Sequence, residues 1–154
     1  ALVAKQAREL GFKGGFLVMD QAKFDEMAKV TGGLGALEGS IGVLPVSYDE
    51  RVGPKSFAEA YRKAYGADKD ATTESSYNYT LVHALAAAMK LAGTTSDATA
   101  IRAKLGDALK ALPEKINAGS FKGVDGVGGT IVDPLVATVE GGKIKPVNLS
   151  DLMK

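Results

Sequence analysis

The sequence predicts an α/β layered fold, because segments typical of strands and of helices alternate along the chain and a β-hairpin pattern closes it. Hydrophobic residues make up 45% of the 154 residues and charged residues 24%. Both fractions are close to the averages of globular domains, so the chain is long and apolar enough to fold around a core.

The first three elements are predicted to be a helix, a strand and a helix. Residues 1–10 place apolar side chains at three- and four-residue spacing, and Gly11 can end this helix in a left-handed conformation. The run 16–19 is short and wholly apolar, which is typical of a buried strand in a parallel sheet. A second helix ends at Gly32. Its apolar inner face consists of Phe24, Met27 and Ala28.

A second strand and a third helix are predicted next. Residues 39–47 are rich in β-branched residues, although Pro45 has no amide hydrogen and therefore indicates a sheet edge or the end of a strand. Ser56 and Glu59 have the spacing of a capping box, so we expect the third helix to begin there and to end at Gly66.

Two further helices precede the end of the chain. The segment 79–92 is apolar almost all round, a pattern that predicts a helix buried on most of its surface. The segment 98–112 is apolar on one side only, with Asp97 near its start and Pro113 after its end.

The last part of the chain changes character. Residues 121–129 are rich in glycine. The runs 135–139 and 144–147 flank Gly141 and Gly142, which predicts a β-hairpin.

Composition excludes several classes of function. The 19 basic and 18 acidic residues give a net charge of +1, which speaks against nucleic acid or an anionic membrane surface as a partner. The chain has no cysteine and one histidine, so disulfides, thiolate chemistry and the common zinc sites are excluded. We therefore expect no metal and no cofactor. No apolar run approaches the length that spans a bilayer.

Five blocks carry a resemblance to a known family. They are K-Q-A-R-E-L-G-F-K-G-G-F near the start, E-G-S-I-G-V-L-P-V-S-Y at 38–48, F-A-E-A-Y-R-K-A-Y-G at 57–66, Y-N-Y-T-L-V-H-A-L-A-A-A-M-K-L-A-G at 77–93, and a closing block of F-K-G-V-D-G-V-G-G at 121–129 followed by V-A-T-V-E-G-G-K-I-K-P-V at 136–147. In this order they resemble the type I periplasmic binding proteins, and within them the branched-chain amino-acid binding group of ABC transporters. The resemblance covers nearly the whole chain.

This resemblance implies a two-lobed protein that holds a small solute in the cleft between its lobes. Residues 1–72 would belong to the second lobe and 73–130 to the first, and 131–154 would return to the second as the hairpin. The chain would then be a C-terminal part that lacks the first half of the fold. Because such a piece leaves sheet edges unpaired, we expect the isolated chain to self-associate.

Three residues are candidates for solute binding. Asp20 follows a predicted strand, and the family has an acidic residue at this point that binds the ammonium group of the ligand. The alternative is that Asp20 caps the next helix, which would begin near Ala22. Tyr77 precedes the predicted helix 79–92, where the family places an aromatic ring against the apolar end of the ligand. Tyr48 is a weaker candidate, for which surface packing is the alternative, and Tyr79 is expected to pack.

Other patterns are better explained without a ligand. The glycines at 32–39 lack the Gly-Lys-Ser/Thr of a phosphate loop, and 123–129 lacks the spaced carboxylates of a calcium loop. His83 is expected to be a packed, hydrogen-bonded residue. The adjacent acidic pairs 25–26 and 49–50 are expected to be solvated.

The resemblance implies a non-enzymatic function. The chain would be part of the periplasmic, extracytoplasmic solute-binding component of an ABC importer. It would take a small amino acid, most simply a branched-chain one, or a related amide or aromatic acid. Its partner would be the ABC permease in the membrane. The alternative is a ligand-sensing domain of a receptor or regulator with the same fold.

Overall fold

The computed structural model describes residues 1–132 and 134–154. The chain divides into two compact units, the first formed by 1–45 and 134–154 and the second by 46–133. The first boundary therefore falls at Pro45, whereas the resemblance implied one near residue 72; the assignment of either unit to a lobe stays a prediction. Within the described ranges, no helix is both long enough and apolar enough to cross a membrane.

The helices and strands alternate along the first part of the chain, as the sequence predicts. In chain order they are α1 (Leu2–Glu9), β1 (Leu17–Val18), α2 (Phe24–Thr31), β2 (Ile41–Val43), α3 (Val52–Tyr65), α4 (Thr73–Ala92), α5 (Ala98–Ala111), β3 (Phe121–Val124), β4 (Thr130–Val132), β5 (Leu135–Glu140), β6 (Lys143–Asn148) and α6 (Leu149–Leu152). Short 3₁₀ helices lie at Leu34–Leu37, Val46–Tyr48 and Glu114–Ile116.

The first unit is built on a mixed sheet with the strand order β1-β2-β5-β6. Only β1 and β2 are parallel among these strands; β5 runs antiparallel to both β2 and β6. Phe24 at the start of α2 is fully buried, as are Leu37 and Val139. The predicted α/β fold class is confirmed, with a sheet that is mixed rather than wholly parallel.

The strand expected within 16–19 is confirmed as β1, which pairs in parallel with β2, but the expectation that it is buried is wrong. β1 has two residues, Leu17 is 68% exposed and Met19 is 78% exposed. β1 pairs with β2 alone and lies at the sheet edge, and an apolar run by itself does not tell an edge strand from a central one. The second strand ends at Val43, two residues before Pro45, as the missing amide hydrogen of proline indicates.

The β5–β6 hairpin is confirmed and has an additional anchor. Gly141 and Gly142 both have positive φ, +58° and +69°, as the two central residues of a tight hairpin turn require. The carboxylate of Glu38 accepts hydrogen bonds from both glycine amides, at 2.8 and 3.1 Å. Glu38 therefore ties this turn to the segment that precedes β2.

In the second unit, α3 begins one turn earlier than the predicted capping box. The helix starts at Val52, so Ser56 and Glu59 lie inside it and the capping-box prediction is wrong. Pro54 marks the true start better, because proline in the first turn removes an amide hydrogen that would have no partner there. The predicted end at Gly66 is confirmed.

The helices α4 and α5 form the core of the second unit. α4 begins at Thr73 rather than at Tyr79, behind a capping box in which the Ser75 amide donates to the Thr72 hydroxyl and the Thr72 amide donates to the Ser75 hydroxyl. α5 begins as predicted, with the Asp97 carboxylate accepting from the Ala100 amide at 3.0 Å. Ala84 of α4 packs with Leu109 of α5 and with Phe121, which begins β3.

The expectation that α4 is buried on most of its surface is wrong. Its buried residues are small or polar and follow one stripe: Ser76, Thr80, Ala84 and Ala88. Larger apolar residues of the same helix are exposed: Leu81 (37%), Val82 (67%), Leu85 (42%) and Leu91 (53%).

The strands β3 and β4 form a separate two-stranded ribbon that the sequence analysis did not predict. The second half of the glycine-rich segment, residues 125–129, is its turn. One carboxylate oxygen of Asp125 accepts from the amides of Val127 and Gly129, at 3.0 and 2.7 Å. Asp125 thus organises the turn through its own backbone neighbours.

Candidate functional site

Asp20 lies in the loop that follows β1 and is exposed. Its Oδ1 accepts a hydrogen bond from the amide of Gln21 at 2.8 Å. The alternative role as a helix cap is wrong, because α2 begins at Phe24 behind Lys23 and no side chain caps it. The carboxylate is therefore not used to start a helix.

A groove of about 530 Å³ lies beside Asp20 in the first unit. Its apolar wall includes Val18, Met27 and Val30, and Lys23 and Glu26 line its polar part. Lys23 and Glu26 approach each other to 3.6 Å. A carboxylate next to aliphatic side chains suits a ligand that carries an ammonium group close to an apolar group.

Tyr77 lies one turn inside α4 rather than before it, because the capping box at Thr72 starts the helix earlier than predicted. Its half-buried ring contacts Phe121, with the ring centroids 5.2 Å apart. Burial raises the pKa of the Tyr77 phenol; the Glu74 carboxylate raises it further, whereas Arg51 opposes the shift. The phenol is therefore neutral at physiological pH, with its ring held by packing.

Tyr48 ends the 3₁₀ helix Val46–Tyr48 and is half-buried. This 3₁₀ helix packs against both α3 and α4, so Tyr48 and Tyr77 lie on neighbouring elements of the second unit. Asp20 belongs to the first unit.

A partly buried ion pair next to Tyr48, between Asp49 and Arg51, was missed by the sequence analysis. Asp49 is 7% exposed and accepts from the backbone amide of Arg51 and from the Arg51 guanidinium, with Nε at 3.0 Å from each carboxylate oxygen. The expectation that Asp49 is solvated is wrong. The Asp-x-Arg spacing was the available signal, because a carboxylate two residues before an arginine can bind both its amide and its guanidinium.

The remaining aromatic residues near this position pack with one another. The ring of Tyr79 lies 5.0 Å from that of Phe57 and 4.6 Å from that of His83, edge to face in the second case. The packing role expected for Tyr79 is confirmed. His83 is exposed rather than enclosed, contrary to expectation, although its ring packs against that of Tyr79.

No metal centre is formed in the ranges 1–132 and 134–154, where no three His, Asp or Glu side chains come together in a way that could hold an ion. The candidate positions themselves present one exposed carboxylate and two half-buried aromatic rings.

A family model described as "Periplasmic binding protein" matches residues 1–136. The chain belongs to this family. The match covers most of the sequence and confirms the resemblance carried by the five sequence blocks.

Two solved structures are similar to this periplasmic binding protein chain. The leucine-binding protein LivK from Thermotoga maritima is 26% identical, with a TM-score of 0.62, and the match covers 97% of this chain and 42% of that one. An ABC transporter substrate-binding protein from Desulfitobacterium hafniense is 22% identical with a TM-score of 0.43, and 95% and 47% of the two chains are covered. The chain thus spans less than half the length of either protein. No curated protein matches it significantly.

Proposed function

We propose that the chain is part of the solute-binding component of an ABC importer and that the solute is a small amino acid. The observation that carries this proposal is the family match over residues 1–136, together with the similarity to a leucine-binding protein along 97% of the chain. Branched-chain amino acids are the first solutes to test, followed by related amides and aromatic acids. The protein would bind its solute without a covalent step.

Asp20 would bind the ammonium group of the solute. Its exposed carboxylate has spare acceptor capacity, because the hydrogen bond from the Gln21 amide leaves lone pairs available on a group that accepts only. The apolar wall formed by Val18, Met27 and Val30 would accommodate an aliphatic group close to the charge. A charge-assisted hydrogen bond is the stronger kind, so Asp20 would contribute more to the affinity than a neutral acceptor.

Tyr77 and Tyr48 stay candidates for contact with the apolar part of a solute, as the family resemblance implies. The packing of Tyr77 on Phe121 fixes the ring before a solute arrives, which reduces the entropy lost on binding. Tyr77 offers an apolar ring and a neutral phenol, since its raised pKa keeps the proton on the oxygen. Both features suit an aliphatic side chain better than a charged one.

The partner of the loaded protein would be an ABC permease, and its location would be extracytoplasmic. Membership of the periplasmic binding protein family supports both, as do the five sequence blocks that resemble the ABC-transporter group of that family. Solute binding would signal to the permease only to the extent that the solute stabilises one conformation over another.

A thermal-shift screen of the full protein as its gene encodes it tests the proposed function. A solute that binds only the native state stabilises it by about 2.7 kcal/mol when present at 100 times its Kd. We expect leucine, isoleucine or valine to raise the unfolding midpoint, with lysine and glutamate as mismatched controls. If no amino acid, amide or aromatic acid raises the midpoint, the proposed function is wrong.

Self-association of the isolated chain is a separate prediction. β1 is an edge strand with exposed apolar residues, Leu17 within it and Met19 directly after it, whereas the opposite edge strand β6 carries lysines and a proline that discourage pairing. We therefore expect β1 to be the pairing edge, and light scattering at micromolar concentration to give a mass above that of one chain. A monodisperse monomer would contradict this.

A further inference from the structure

A methionine, Met27, lies in the wall of the groove beside Asp20. The sequence has four methionines and no cysteine. Thiols are the usual target of peroxides, so in their absence the thioether of methionine is the group that a peroxide oxidises most readily. The positions of the methionines therefore decide what a peroxide changes in this part of the protein.

Met27 differs from the other methionines in its position. It is half-buried on α2, and it lines the groove together with Asp20. Among the described residues that line this groove, none of the other three methionines is found: Met19, Met89 and Met153. A half-buried thioether on the wall of a groove is within reach of an oxidant as small as hydrogen peroxide.

The modification is a two-electron oxidation of the Met27 sulfur. The sulfur donates an electron pair to one oxygen atom of hydrogen peroxide, the O–O bond breaks, and an S–O bond forms. The other oxygen atom leaves as water with both protons of the peroxide. The product is methionine sulfoxide, which sulfoxide reductases convert back to methionine.

The sulfoxide would change the character of the groove wall. Methionine is flexible and apolar, whereas its sulfoxide is polar. An aliphatic group packed on this wall would remove water from the sulfoxide oxygen without offering it a hydrogen bond, which is unfavourable. We propose that Met27 is a peroxide-modification site and that its oxidation lowers the affinity of the protein for aliphatic amino acids. This inference rests on the proposed function and adds a reversible regulation of the same groove.

Calorimetry of the full protein before and after treatment with hydrogen peroxide tests the proposal. The solute is leucine, or the branched-chain amino acid with the largest thermal shift, and peptide mass spectrometry locates each added oxygen. We expect an added oxygen on Met27 and an affinity at least about fivefold lower in the treated wild type. In Met27→Leu the affinity, whatever its starting value, should be the same before and after treatment.

Two further variants serve as controls. Met153 is 80% exposed in the same unit but does not line the groove, so Met153→Leu should keep the full response to peroxide. Met27→Gln places a polar amide in the groove wall without any oxidant, and it should bind the solute more weakly than Met27→Leu does. Equal affinities of these two Met27 variants would contradict the proposal.

The outcomes separate this inference from the proposed function. If untreated wild type binds the solute but peroxide leaves its affinity unchanged, the inference is wrong and the proposed function stands. An equal loss of affinity in Met27→Leu, or no added oxygen on Met27, would overturn the inference in the same way. If untreated wild type binds no amino acid, the proposed function itself is wrong and the inference fails with it.

Discussion

The helices α4 and α5 pack against each other, yet they bury opposite kinds of residue. α5 buries Ile101, Ala108 and Leu109 and directs polar residues outward. α4 buries a stripe of small or polar residues, which includes Thr80 and Ala84, and exposes larger apolar ones such as Val82. Close packing between the two helices is therefore made by the small residues of α4, while several of its larger apolar residues stay exposed.

The largest expected effect is on the α5 side of this contact. Leu109 is 2% exposed, so Leu109→Ala should lower the free energy of unfolding of the 154-residue chain by about 2 to 5 kcal/mol through lost burial and a cavity. Val82→Ala is the control on α4, and it should change stability by less than about 0.5 kcal/mol in the same urea titration. If both variants lost similar amounts of unfolding free energy, Leu109 and Val82 would not differ in burial as described.

A smaller effect is expected from enlarging the buried stripe of α4. Ala84 is fully buried against Leu109 and Phe121, so Ala84→Leu should cost about 1 to 3 kcal/mol by overpacking. Ala86→Leu adds the same atoms at an exposed position and should be nearly neutral. If Ala84→Leu is tolerated as well as Ala86→Leu, the contact between α4 and α5 is looser than described.

Substitutions of Asp97, the residue that caps α5, measure how much the cap contributes to stability. Asp97→Ala removes the side chain that accepts from the Ala100 amide and should cost about 1 kcal/mol. Asp97→Asn keeps the acceptor and should restore most of this loss, as measured by urea denaturation. Equal losses in the two variants would assign the effect to charge rather than to the hydrogen bond.

The smallest expected effect concerns pH and the α4 residue Tyr77. Its folded-state pKa is raised, chiefly by burial, so the neutral phenol favours the folded state. The neutral phenol contributes fully to folding stability when the pH is below the ordinary tyrosine pKa of about 10. This stabilisation is lost as the pH rises through the pKa that Tyr77 has in the folded state. Tyr77→Phe should therefore weaken the alkaline loss of stability, and it should remove one phenol of raised pKa from a spectrophotometric titration. An unchanged titration would contradict the burial of this ring.

Much of the fold follows from local sequence signals. Asp97 and Pro113 bracket α5, and Gly141 with Gly142 sets the β5–β6 turn, because each acts through its own backbone neighbourhood. Pro45 likewise indicated the end of β2. These residues need no information about the rest of the chain.

The errors arose where tertiary context decides. The sequence of α4 has no polar face, so its periodicity could not show which side of the helix packs. The start of α4 was missed because Thr72 and Ser75 form a less familiar capping pair than Ser with Glu. The sequence of β1 is typical of a central strand, but β1 lies at an edge. For the candidate site, the sequence indicated Asp20 but could not show whether its carboxylate was committed to a helix cap, because that depends on where α2 begins.

The most direct test of the account is calorimetry on the full protein with the amino acid that gives the largest thermal shift. We predict saturable binding, weakened about 10- to 150-fold in Asp20→Ala, which corresponds to the roughly 1.5 to 3 kcal/mol of a charge-assisted hydrogen bond. Asp25→Ala removes the same charge from an exposed position five residues away and should leave the affinity within about twofold. Binding that is equally strong in wild type and Asp20→Ala would contradict the proposed role of this carboxylate.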